Sequence, residues 1–129
     1  LATAAGTTVL NLVTPRDYQD LTQRVATFAQ NLEAAIATSG LYARCPTQGP
    51  LMGLFLSREP FEAPTNFDEA KLLCENGLYR SFFHAMLERG VALAPGAYEI
   101  LFVSFAHSGD DLADAVKRAG EASEVAAKS

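Results

Sequence analysis

A chain of 129 residues, 49% hydrophobic and 19% charged, has enough apolar material for one compact domain and too much for disorder. Its net charge of −5 at pH 7, with basic residues scattered apart from the Lys117-Arg118 pair, leaves no electrostatic footprint for nucleic acid or an acidic membrane surface. The densest apolar stretch, Ile100 to Ala106, is too short to cross a bilayer and carries Ser104, and no basic segment followed by an apolar one marks a secretory leader, so a cytoplasmic setting is expected.

Leu1 to Val13 is small and apolar, without a cap, and reads as part of a helix. Thr14-Pro15-Arg16-Asp17 places a hydroxyl at the N-cap, proline at the first helical position and a carboxylate two residues further in, a strong helix start. Leu21, Val25, Phe28, Leu32 and Ile36 then recur at spacings of four and three, a single apolar stripe that Gly40 ends. Leu41–Cys45 and Leu51–Leu56, bracketed by Pro46, Gly49 and Pro50, predict a strand pair. Asn66 with Glu69 three residues on opens a helical region that reaches Gly90, broken near Asn76-Gly77, with Leu78, Phe82 and Met86 on its buried face. Val91–Leu93 and Ile100–Phe105 read as two more strands around the turn-prone Pro95-Gly96. Ser108 caps a final helix with Asp110 and Asp111 in its first turn, and the Ala-, Glu- and Ser-rich tail after Gly120 is expected to fray. The order of elements predicts one α+β domain over residues 1–129, with helices on one face of a small antiparallel sheet.

Local signatures of nucleotide, zinc or serine chemistry are missing. Cys45 and Cys74 stand alone, without metal-ligand spacing, and read as buried free thiols. His84 and His107 read as hydrogen-bonded structural imidazoles, and the Asp110-Asp111 pair is explained by the helix start rather than by a metal. Lys71, Lys117 and Lys128 fall on helix surfaces or in the tail, whereas a Schiff-base lysine needs a pocket that lowers its pKa. Glu99 stands apart, a single carboxylate between the Pro95-Gly96 turn and a very apolar strand. Such a charge must be paired, face a cleft or point to solvent at the strand edge, and the sequence leaves these open.

The run Phe82-Phe83-His84-Ala85-Met86-Leu87-Glu88-Arg89-Gly90-Val91-Ala92-Leu93-Ala94-Pro95, followed by Tyr98-Glu99, Phe102, Ser104 and Ala106-His107, resembles the C-terminal signature FFHxMLxxGVYxAPSxFExxFxSxAH of glutamate-1-semialdehyde aminomutases. Gly49, Gly53 and Phe55 match a strand of that family, and Leu1 to Gly6 resembles the helix after its GTxSGNP motif. Gly96 replaces the usual Ser, Tyr98 the usual Phe, Pro50 a Gly or Ser, and Ile100-Leu101 an Ala-Gly pair. The resemblance implies the C-terminal domain of a homodimeric, fold-type I, class III enzyme. That enzyme uses pyridoxal phosphate to turn glutamate-1-semialdehyde into 5-aminolevulinate for tetrapyrrole synthesis. It also implies that residues 1–13 lead from a large N-terminal domain holding the cofactor lysine and most phosphate ligands. By position, Glu99 then lies on the substrate side of the pocket. No catalytic, cofactor-binding or metal-ligating residue is expected in this chain, which would be inactive alone. The equivalent domain of another class III aminotransferase and a free-standing α+β binding module are the alternatives.

Overall fold

In the computed structural model, which describes residues 1–129, helix α1 (Ala2–Leu12) has no capping side chain and no buried residue. Thr7 and Thr8 spend their hydroxyls on the carbonyls of Thr3 and Ala4. Helix α2 (Pro15–Ala37) starts with a complete capping box. The Thr14 hydroxyl accepts from the Asp17 N–H, and the Asp17 carboxylate accepts from the Thr14 N–H at 2.7 Å. Its predicted stripe is the buried face, with Leu21, Val25, Ala29, Leu32 and Ile36 withdrawn from water and Phe28 packed beside them. Each buried Leu, Val or Ile side chain of this face contributes roughly 1.5–3 kcal/mol.

The predicted strand pair is a hairpin folded into two pieces. β1 (Tyr42–Arg44) pairs antiparallel with β4 (Phe55–Ser57), while β2 (Thr47–Gln48) pairs with β3 (Leu51–Met52) around Gly49. Leu51–Leu56 is therefore not one continuous strand: Gly53 interrupts it, donating to the Pro46 carbonyl at 2.9 Å. A Cβ at Gly53 would stand 3.1 Å from the Phe55 ring and 3.4 Å from Pro46, so the hairpin bends where a side chain would press on its neighbours.

Helix α3 (Phe67–Cys74) is capped by Asn66, which accepts from the Glu69 N–H. The reciprocal bond shifts by one residue, because Glu69 takes the N–H and hydroxyl of Thr65. Gly77, at φ +84°, makes the break before helix α4 (Leu78–Glu88), which buries Leu78, Tyr79, Phe82, Ala85 and Met86. The final ladder is β5 (Leu101–Phe102), which pairs with β3, so the expected single sheet is two small ones ordered β1-β4 and β2-β3-β5. Val91–Leu93 is not a strand. Its first N–H closes α4 by donating to the Met86 carbonyl, and the segment then passes in irregular form to Pro95.

Helix α5 (Gly109–Ala127) begins with a second capping box, between Ser108 and Asp111, and does not fray at Gly120. Ala119, Ala122, Ser123 and Ala126 are buried against α2 and α4. At Gly120 α5 faces α2, and an added Cβ would make an ordinary contact with the Ala35 carbonyl at 3.5 Å. Arg118 donates to the Arg89 carbonyl at the end of α4, and Arg58 reaches the carbonyls of Ala127 and Ser129 at 2.8 and 2.9 Å. The α+β reading holds, and no helix is long and apolar enough to cross a membrane.

Candidate functional site

The segment from Val91 to His107, the second part of the run that begins at Phe82, gains its shape from side chains on α3 and α4. Tyr79 is buried on the first turn of α4, and its hydroxyl donates to the Ala94 carbonyl at 2.6 Å. The Cys74 thiol donates to the Ala97 carbonyl at 3.3 Å, and the Tyr98 hydroxyl to the Glu75 carboxylate at 3.2 Å. Phe67 stacks on the Tyr98 ring with centroids 6.1 Å apart. These contacts hold the irregular stretch from Ala94 to Tyr98 against two helices, where its backbone would otherwise have to be satisfied by water. Burial, with a smaller contribution from the Glu99 charge, pushes the Tyr79 hydroxyl up to about 12, so it stays a proton donor to Ala94.

Glu99 sits at the N-terminal edge of β5, exposed to solvent. Its N–H donates to the Gly96 carbonyl at 3.0 Å, and its Oε1 accepts from the Gly96 N–H at 3.0 Å. The carboxylate beside Ile100 and Leu101 thus has water and a turn partner, two of the options its position leaves open.

Clefts open on both sides of this segment. One, of about 490 Å³, has an apolar lining that includes Phe28, Leu32, Phe82, Met86 and Val103, with His107, Asp111 and Asp114 among its polar residues. Its acids are already engaged, Asp111 in the capping box and Asp114 with Arg118 at 2.7 Å. The other cleft, of about 450 Å³, lies beside Tyr79, Arg80, His84 and Tyr98.

His107 is the structural imidazole the sequence suggests. Its Nδ1 accepts from the Ser104 N–H at 3.0 Å, and its carbonyl accepts from Arg24 at 2.9 Å. His84 is not hydrogen-bonded; it is exposed and meets the edge of Phe83 at 5.3 Å. Cys45 is buried, which pushes its thiol up to about 12, whereas Cys74 is only half-buried and serves as a donor to the loop. No cluster of His, Cys, Asp and Glu has metal-site geometry. Lys71, Lys117 and Lys128 are all exposed, so none has the desolvation that would prepare an amine for covalent attachment of a carbonyl cofactor. The loop anchors Tyr79, Cys74 and Tyr98 were missed as such, because nothing local reveals where a hydroxyl or thiol will donate.

Over 113 residues the chain is 39% identical to the glutamate-1-semialdehyde 2,1-aminomutase of Nitratidesulfovibrio vulgaris (strain Hildenborough), a match covering 88% of this chain and 26% of that protein. It is 35% identical over 105 residues to the enzyme of the same name from Psychrobacter sp. (strain PRwf-1), covering 81% and 24%. With the one from Anaeromyxobacter dehalogenans (strain 2CP-1) it shares 36% over 129 residues, covering 99% and 29%. The chain thus spans about a quarter of the length of these curated relatives. No protein-family model matches it.

Proposed function

From the chain's kinship with the glutamate-1-semialdehyde 2,1-aminomutases, we propose that it is the C-terminal domain of an enzyme converting glutamate-1-semialdehyde to 5-aminolevulinate for tetrapyrrole synthesis. The observation that carries this reading is the ungapped run from Phe82 to Pro95 with its continuation through Glu99 to His107. In this reading the enzyme is a cytoplasmic homodimer, and bound pyridoxal phosphate supplies the chemistry that moves an amino group between neighbouring carbons. The exposed lysines of this chain do not fit covalent attachment of that cofactor, so its anchoring belongs to a larger domain outside residues 1–129. This chain's own contribution is wall and closure. The loop pinned by Tyr79, Cys74 and Tyr98 presents Glu99 to the substrate, where a carboxylate orients an amino group and balances its charge rather than moving a proton.

The test uses the longest polypeptide that the source reading frame encodes around Leu1–Ser129, assayed for 5-aminolevulinate formed from the semialdehyde. Glu99→Gln keeps the shape and removes the charge, and is expected to lower kcat/KM about tenfold, equivalent to about 1.4 kcal/mol, with cofactor loading intact. An unchanged kcat/KM would remove Glu99 from the site. Amino transfer from ornithine or 4-aminobutyrate in place of isomerisation would overturn the aminomutase assignment. For residues 1–129 alone, borohydride treatment with pyridoxal phosphate is expected to leave Lys71, Lys117 and Lys128 without stoichiometric label, and near-complete labelling of any one would refute the placement of the cofactor elsewhere.

A further inference from the structure

Glu99 is an exposed side chain with several free torsions, yet it is folded back over one particular residue. An ideal Cβ built on Gly96 would lie 2.7 Å from Glu99 Oε1, 3.4 Å from its Cγ and 3.5 Å from its Cδ, with no atom of any other residue among its nearest contacts. Gly96 does not have a positive φ, so a β-carbon is compatible with the backbone there and its cost falls on Glu99 alone. In the same turn the Gly96 N–H donates to Glu99 Oε1 and the Gly96 carbonyl accepts from the Glu99 N–H, both at 3.0 Å. The turn itself is fixed at neighbouring positions, by Tyr79 on the Ala94 carbonyl and Cys74 on the Ala97 carbonyl.

We infer that Gly96 is a positioning residue for Glu99: by lacking a side chain it lets one carboxylate oxygen dock on its own N–H, which fixes the direction in which the second oxygen is offered. A carboxylate has about four acceptor directions, so one backbone N–H orients the group without exhausting it. A group held before it meets a ligand loses less freedom on binding, and the gain appears in affinity. The ligand this arrangement suits is the protonated amino group of a small amino-acid-like molecule. That part rests on the proposed function above, whereas the latch rests on geometry alone.

Two measurements separate the latch from the functional reading. In the 129-residue chain, the Gly96 amide proton followed by NMR is expected to move upfield when Glu99→Ala removes its acceptor. A Gly96 amide shift unaltered by Glu99→Ala would overturn the latch whatever the enzyme does. In the longer enzyme, Gly96→Ala is expected to raise KM for the amino substrate about three- to tenfold while kcat changes less than twofold. In the Glu99→Ala background, which removes the atoms that Gly96 meets, the same substitution should have no further effect, the non-additivity expected of coupled neighbours. Equal effects of Gly96→Ala in both backgrounds would show that Gly96 acts on backbone shape rather than through Glu99, and would sink the inference. A Gly96 amide that responds to Glu99→Ala, together with a Glu99→Gln enzyme of unaltered kinetics, would leave the latch standing and remove the substrate role.

Discussion

Helices α1 and α5 are built from much the same small residues, yet α1 buries nothing and α5 supplies part of the core. The difference does not lie in helix propensity, since alanine is common in both. It lies in the ends and in the faces. Ser108 and Asp111 satisfy the first N–H groups of α5 reciprocally, while α1 has no capping side chain and no acid in its first turn. Along α5, Ala119, Ala122 and Ala126 recur at spacings of three and four and are buried against α2 and α4. In α1 the apolar Val9, Leu10 and Leu12 remain in solvent. Alanine helices thus gain stability in the fold from a close neighbour rather than from their own hydrogen bonds.

A charge placed in each helix breaks this comparison most sharply. Ala119 is fully buried, and Ala119→Asp is expected to cost about 3–5 kcal/mol because the carboxylate would have no partner. Ala4→Asp in α1 should change stability by no more than about 0.5 kcal/mol. Urea unfolding of both variants measures the contrast, and equal losses would mean that α1 is packed as tightly as α5. Ser108→Ala comes next, with an expected loss of about 1 kcal/mol from the missing cap and faster hydrogen exchange confined to the first turn of α5.

The smallest effect is acid sensitivity. Hydrogen bonds from the cap residues' hydroxyl and N–H groups hold the Asp17 and Asp111 carboxyls below their ordinary value of 3.8. A carboxylate whose pKa is depressed by folding contributes stability above its unfolded pKa, and that contribution is lost as pH falls through the folded one. The first turns of α2 and α5 should therefore loosen below about pH 4, and α1, with no such carboxylate, should not change over that interval. Residue-resolved NMR checks this, and Asp111→Asn should flatten the response of α5 alone.

The stripe on α2 was legible because Leu21, Val25, Leu32 and Ile36 are large and recur at the helical period. The caps Thr14 and Ser108 were legible because they are local, and the structure added the reciprocal bonds from their N–H groups to Asp17 and Asp111. The docked end of α5 was not: alanine buries little area per residue, so a face made of Ala119, Ala122 and Ala126 resembles a soluble tail until a neighbour is placed on it. The apolar run Leu51–Leu56 reads as one strand because its residues favour that state, whereas the bend at Gly53 depends on Phe55 and Pro46 converging in space. Val91–Leu93 has strand composition, but its backbone is drawn to the end of α4 and to Tyr79. For Glu99 the sequence located an unusual carboxylate, and the structure added the Gly96 N–H as its partner, a three-residue relation that composition does not reveal.

The clasp of Arg58 on the Ala127 and Ser129 carbonyls spans about seventy residues, and that of Arg24 on His107 spans 83. Contacts so distant in sequence form late, because the intervening chain must be brought together before they return any energy. On the ribosome, then, α2, the hairpin and α4 emerge with one flank of their shared core still open, and that flank stays open until Gly109–Ala127 has been synthesised. A polypeptide paused before that stretch would expose Phe82 and Met86 to its neighbours, which makes arrest in this interval the moment of greatest aggregation hazard.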